Sequence, residues 1–198
     1  NLYKFLQLST KDWFDDRLLR LCKGFNLSED IVLRMREVYD EIINGRKIAT
    51  VKVTDVFKYI DYPYTQLAQW VFHATKPDSQ KDISFSEYVH MVAYFVMLGH
   101  RELMKFLFQA VDTENKQFLS EEQFHTLISI LGENSPFNAK GWHLQYKNYY
   151  DRKLNNFFIG NFEKFLHKNP GALWQAQALQ KKFMQYNIGP RYWEDKME

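Results

Sequence analysis

The sequence predicts an all-α fold, and three observations carry that expectation. Apolar residues recur at helical spacing along most of the chain. Helix starts and stops are marked by Ser, by Asn44-Gly45 and by Pro63, Pro136 and Pro170. A polar loop, a short apolar stretch and a new helix also recur as a unit, with Ile83 and Leu119 standing 36 residues apart in two successive copies.

Taking the elements in order, Ser9 with Asp12 suggests a capped first helix over Thr10–Lys23, ending at Gly24. Ser28 opens a second, with Ile31, Met35, Val38, Tyr39 and Ile42 facing inward. The alternating β-branched stretch Ile48–Val53 reads as a short strand, followed by a helix over Thr54–Ile60. A helix over Thr65–Thr75 enters the polar loop Lys76–Asp82, and Ile83 to Glu87 lead into a helix over Tyr88–Leu98. The third unit runs from Leu103 to Ile130, its loop spanning Asp112–Gln123 and its second helix beginning near Phe124. The fourth pairs a helix over Asn138–Tyr150 with one over Asn161–His167, across Asp151–Asn156 and the apolar Phe157-Phe158-Ile159. A last amphipathic helix, Leu173–Tyr186, carries Leu173, Ala176, Leu179, Phe183 and Tyr186 on one face.

Composition narrows the function classes. Of 198 residues, 45% are apolar and 25% charged, ordinary values for a globular chain able to bury a core. The net charge of +2 provides no field for nucleic acid or an anionic membrane. No apolar run approaches the ~20 residues of a membrane helix, and no signal peptide is visible, although the chain begins at Asn1 without Met. The lone Cys22 rules out an internal disulfide and fits a cytoplasmic setting. Aromatics reach 17%, with 17 Phe and 12 Tyr, which points to aromatic packing or aromatic contact surfaces.

The loop Asp112–Gln123 resembles an EF-hand, whose twelve residues supply oxygens from positions 1, 3, 5, 7, 9 and 12, with Gly at 6. Asp112, Glu114 and Ser120 match positions 1, 3 and 9. Lys116, Gln117 and Gln123 replace the oxygen ligand at 5, the Gly at 6 and the bidentate Glu at 12. In the second loop Asp78, Gln80, Ser84 and Glu87 match positions 3, 5, 9 and 12, while Lys76 and Lys81 depart at 1 and 6. The first loop, read as starting at Arg46, contributes no carboxylate. The fourth has Asp151 followed by Arg152-Lys153-Leu154, with Phe157 or Phe158 in the apolar eighth position that Val53, Ile83 and Leu119 fill elsewhere.

Over about Ser28 to Leu166 the chain resembles the calmodulin superfamily, in its calcineurin-B-like, neuronal-calcium-sensor-like and calaxin-like branches. The resemblance implies an extension helix in 1–27, an N-lobe of two hands in 28–99, a C-lobe of two hands in 100–168, and a C-terminal helix with a docking tail in 169–198. It further implies that the partners are other proteins, that a lobe groove accepts an amphipathic helix, and that the chain belongs to a hetero-complex. No loop keeps the three or four anionic oxygens of a tight calcium site, so no metal is expected. Calcium stays the one cofactor left open, with Asp112, Glu114, Ser120 and Gln123 or Asp78, Gln80, Ser84 and Glu87 as its only candidates.

Other chemistry has little support in the sequence. Six histidines are scattered without paired metal-binding spacing, Cys22 lies on an apolar stripe, and no nucleophile elbow or phosphate-binding loop is present. Asp112 with Glu121-Glu122 reads as a solvated helix start. Lys181-Lys182, Arg191 and Trp193 read as a basic, aromatic docking tail, and Trp174, Leu179, Phe183, Tyr192 and Trp193 as partner-binding residues. The final helix either packs on the C-lobe or lies in a groove itself.

The expected protein is therefore a non-enzymatic, calcium-independent adaptor of a larger assembly, cytoplasmic and of ciliary or cytoskeletal type, with no nucleic-acid partner and poor solubility alone. A calcium-responsive regulatory subunit of calcineurin-B type is the alternative.

Overall fold

The computed structural model describes residues 11–45, 50–75, 82–137, 139–151, 153–154, 156–189 and 191–193. Expectations that fall on Ser9, Thr10, Ile48, Asp78 and Gln80 lie outside these residues. The chain is mostly helical, with two small antiparallel ladders of two strands each among the described residues. It divides into two compact units, at Met97/Leu98 and again at Leu179/Gln180.

In the first unit, α1 spans Asp16–Gly24. It starts later than the predicted Thr10–Lys23 because the Asp15 carboxylate accepts the Leu18 N–H at 2.7 Å and caps it there. The second helix, α2, spans Glu29–Ile43 and stops where Asn44 (φ 51°) and Gly45 (φ 70°) turn left-handed. Strand β1 is only Val51–Lys52, because Val53 already begins α3, Val53–Tyr59. Helix α4 covers Gln66–Thr75, β2 covers Asp82–Ile83 and α5 covers Phe85–Val96. Helix α5 opens before the predicted Tyr88, because Ser84 and Glu87 form a capping box there. In the ladder Val51, not Val53, stands opposite Ile83.

Helix α5 is the core of this unit: Tyr88, Val89, Val92 and Phe95 are fully buried, alongside Tyr39 and Phe57. The Tyr39 hydroxyl donates to the Ile83 carbonyl at 2.8 Å, tying α2 to the strand. Arg36 lies 5.4, 5.3 and 5.2 Å from the rings of Trp13, Tyr39 and Phe85, and it pairs with Asp40 through Nε at 3.1 Å. Such a cation over aromatic faces gains about 0.5–1 kcal/mol where exposed, and more where water is excluded.

The second unit contains α6, His100–Val111; β3, Phe118–Leu119; and α7, Glu121–Gly132. Here too a capping box, Ser120 with Gln123, starts the helix ahead of the predicted Phe124. The predicted helix over Asn138–Tyr150 is broken into the 3-10 turns Ala139–Gly141 and His143–Gln145 and the single turn α8, Tyr146–Tyr149. Gly141, a weak helix former, sits at the break. Strand β4 is Phe157–Phe158, α9 is Ile159–Lys168, a 3-10 turn covers Pro170–Leu173, and α10 is Trp174–Tyr186. Leu119 stands opposite Phe157, which resolves the choice between Phe157 and Phe158. The core gathers around Phe124, whose ring lies 4.7 Å from that of Phe157 and 5.6 Å from that of Phe165.

Helix α10 serves both units. Leu173, Ala176 and Leu179 are buried in the second. From Gln180 onward the chain belongs to the first unit, where Phe183 packs 5.7 Å from Phe57 and 6.3 Å from Phe95. No helix among the described residues is long and apolar enough to cross a membrane.

Candidate functional site

The loop from Asp112 to Gln123 is closed by its own side chains. Asp112 is buried, and its two carboxylate oxygens accept the backbone N–H groups of Lys116 at 2.8 Å and Gln117 at 2.7 Å. Lys116 Nζ pairs with the Glu114 carboxylate at 2.7 Å. At the far end, the Gln123 side chain accepts the Ser120 N–H at 3.0 Å and donates from Nε2 to the Val111 carbonyl at 2.8 Å. That second bond needs an amide, because an ionised carboxylate has no proton to give. An ion in this loop would have to displace a lysine from Glu114 and find at Gln123 a single neutral oxygen already in use. Two residues of the loop, Asn115 (φ 52°) and Gln117 (φ 65°), are left-handed. Gln117 stands where the glycine of a calcium loop is needed, which is a strained choice for a side chain.

The second loop follows the same plan from its described end. Glu87 Oε2 accepts the Ser84 N–H at 2.7 Å, while Oε1 pairs with Arg17 of α1 at 3.4 Å. Helix α1 thereby brings a cation to the one carboxylate that a calcium ion would need most. Asp78 and Gln80 lie outside the described residues.

In the fourth loop, Asn161 Oδ1 accepts the Phe158 N–H at 2.8 Å, the third side chain to accept the N–H three residues before it, after Glu87 with Ser84 and Gln123 with Ser120. Asp151 caps its own turn, accepting the N–H groups of Lys153 at 2.8 Å and Leu154 at 3.0 Å, and bridges to Asn156. The ladder at Val51 moves the start of the first loop from Arg46 to Asn44. No group of three or more His, Cys, Asp or Glu side chains converges to hold a metal among the described residues.

The five residues read as partner-binding are placed unequally. Leu179, Phe183 and Trp193 are fully buried within the chain, Tyr192 is half-buried, and Trp174 is 38% exposed. Among the described residues four other large apolar side chains are exposed, and three of them, Leu144 (81%), Leu154 and Phe137, lie in the same unit as Trp174. Phe137 covers Gly171, and Gln145, next to Leu144, exchanges hydrogen bonds with Asn169 at 3.1 and 2.8 Å. Phe137 therefore lies against the turn Pro170–Leu173, and Trp174 follows it directly.

Reasoning from sequence missed Arg17, whose partner lies 70 residues away, and missed the meeting of His125 with His143. No local pattern in the sequence points to either pair. Burial pushes the Cys22 thiol up to about 12, so it stays protonated and is a poor nucleophile. Comparison with family models and with curated proteins finds no match for this chain.

Proposed function

We propose that the chain is a non-catalytic, EF-hand-like protein-binding subunit, acting as a calcium-independent structural or adaptor component of a larger assembly. One observation carries the calcium-independent part: Gln123 donates to the Val111 carbonyl from the position where a calcium loop needs a bidentate carboxylate. The ladders at Val51/Ile83 and Leu119/Phe157 support the paired-hand reading, because they recur between helices at the spacing expected of such loops. The protein-binding part is supported by the exposed apolar side chains of the second unit, among them Phe137, Leu144, Leu154 and Trp174. A ciliary or cytoskeletal setting rests on the calaxin-like resemblance alone.

Calorimetric titration of the full chain with calcium tests this reading, alongside Asp112→Ala and Glu87→Gln. The expected result is no binding heat and no change in apolar-dye fluorescence. Micromolar binding that either substitution abolishes would instead establish a calcium-responsive regulatory subunit.

A further inference from the structure

Away from the loops, the second unit brings two imidazoles together. His125 on α7 and His143 in the 3-10 turn have their Nδ1 atoms 3.1 Å apart, with ring centroids 5.2 Å apart and planes inclined by 35°. On its other side, His125 Nε2 faces the Glu121 carboxylate at 3.6 Å, one helical turn earlier. A carboxylate there favours the tautomer with its proton on Nε2, which leaves Nδ1 of His125 as a lone pair aimed at His143. With that tautomer of His125, the donor of the 3.1 Å contact is His143 Nδ1–H.

A metal ion can take the place of that shared proton. Two imidazole nitrogens on one tetrahedral zinc, each about 2.0–2.1 Å from it, stand about 3.3 Å apart, within a few tenths of an ångström of the spacing seen here. His143 needs only to move its proton from Nδ1 to Nε2 through solvent, so binding exchanges one hydrogen bond for two coordinate bonds without changing net protonation. Both rings are reachable, the His125 side chain being 36% exposed. His143 borders an open depression that also touches Ser129 and Glu133. Nitrogen donors of this kind select borderline transition metals over calcium or magnesium.

We propose that His125 and His143 form an open two-histidine site for a dication of the zinc class, with Glu121 as its positioning carboxylate and water in the remaining coordination positions. Of its residues only Glu121 belongs to the stretch Asp112–Gln123, and the site does not depend on what the protein binds.

Zinc chloride titrated into the full-length chain near neutral pH tests it, followed by calorimetry and by imidazole nitrogen-15 spectra. One zinc per chain is expected, with the Nδ1 resonances of His125 and His143 shifting together. Affinity falls at least tenfold in His143→Ala and in His125→Ala, and by about 10- to 100-fold in Glu121→Gln. The exposed His167→Ala leaves it unchanged, and excess calcium does not compete. Absence of binding, or binding that leaves both Nδ1 resonances unmoved, overturns the assignment. The spectra of the unaltered protein decide even if a histidine variant fails to fold.

Discussion

The buried hydroxyl of Tyr88 donates to the side-chain carbonyl of Asn187, linking the middle of α5 to the turn that ends α10. Asn187 is itself fully buried: its amide donates to Phe183 at 3.1 Å, and its carbonyl accepts from Trp193 Nε1 at 2.8 Å. Gln180 adds a bond to the Phe95 carbonyl at 2.9 Å. The last part of the chain thus forms an interior wall of the first unit, with the Asn187 and Gln180 side chains hydrogen-bonded and Phe183 and Trp193 covered.

Phe183→Ala is therefore expected to destabilise the first unit by about 3–5 kcal/mol, the usual cost of emptying a packed phenylalanine site. Denaturant unfolding followed by tryptophan fluorescence measures it. A loss under about 1 kcal/mol would mean that this segment packs only superficially.

Gln123→Glu removes the donor to Val111 while leaving its carbonyl in place, at a cost of about 1–3 kcal/mol for an unsatisfied buried group. Combined with Lys116→Asp, it rebuilds oxygen ligands at positions 5 and 12 beside Asp112, Glu114 and Ser120. The double variant is expected to bind calcium in a calorimeter and to regain stability when the ion is added. The single variant should not recover.

Gln117→Gly relieves a left-handed side-chain residue (φ 65°). A gain of about 1 kcal/mol is expected, seen as a rise of about 2–4 °C in the thermal midpoint. Its exposed bond to Asn115 at 2.6 Å is lost in the change and subtracts little.

His90 adds a pH dependence to the first unit. Burial, and then the charge of Arg17, hold it below the ordinary histidine value of 6.5, and its Nδ1 is buried between the rings of Phe25 and Tyr94. Protons therefore bind the unfolded chain in preference. The stability that His90 contributes is complete above pH 6.5 and is lost as pH falls below it. Thermal midpoints measured between pH 7.5 and 5 should decline in the parent and decline less in His90→Phe.

The helix start at Ser28 and the stop at Asn44-Gly45 were legible because end signals of this kind are local, whereas the capping boxes at Ser84 and Ser120 start their helices ahead of the predicted Tyr88 and Phe124. The fourth unit was less legible. Its apolar spacing suits a helix, but Gly141 divides Trp142 and Tyr146 from what precedes them. Asp112, Glu114, Ser120 and Gln123 were recognisable as one loop by spacing, whereas the direction of the Gln123 amide depends on Val111, which no pattern identifies. Leu179, Phe183 and Trp193 have the composition of a contact surface. Whether such residues meet a partner or their own chain is decided by tertiary packing, which periodicity does not encode.

The division at Leu179/Gln180 has a consequence for biosynthesis. Residues 98–179 form a continuous stretch, so that unit is ready to fold once it has emerged from the ribosome. The unit that begins synthesis first lacks Phe183, Asn187 and Trp193 until some 96 further residues have been translated, counting from 97 to 193. At about 5–20 residues per second this wait lasts roughly 5–20 s. Through that interval Phe57 and Phe95 lack the Phe183 ring that packs on them in the finished chain, and the apolar surface it covers stays exposed to misassembly.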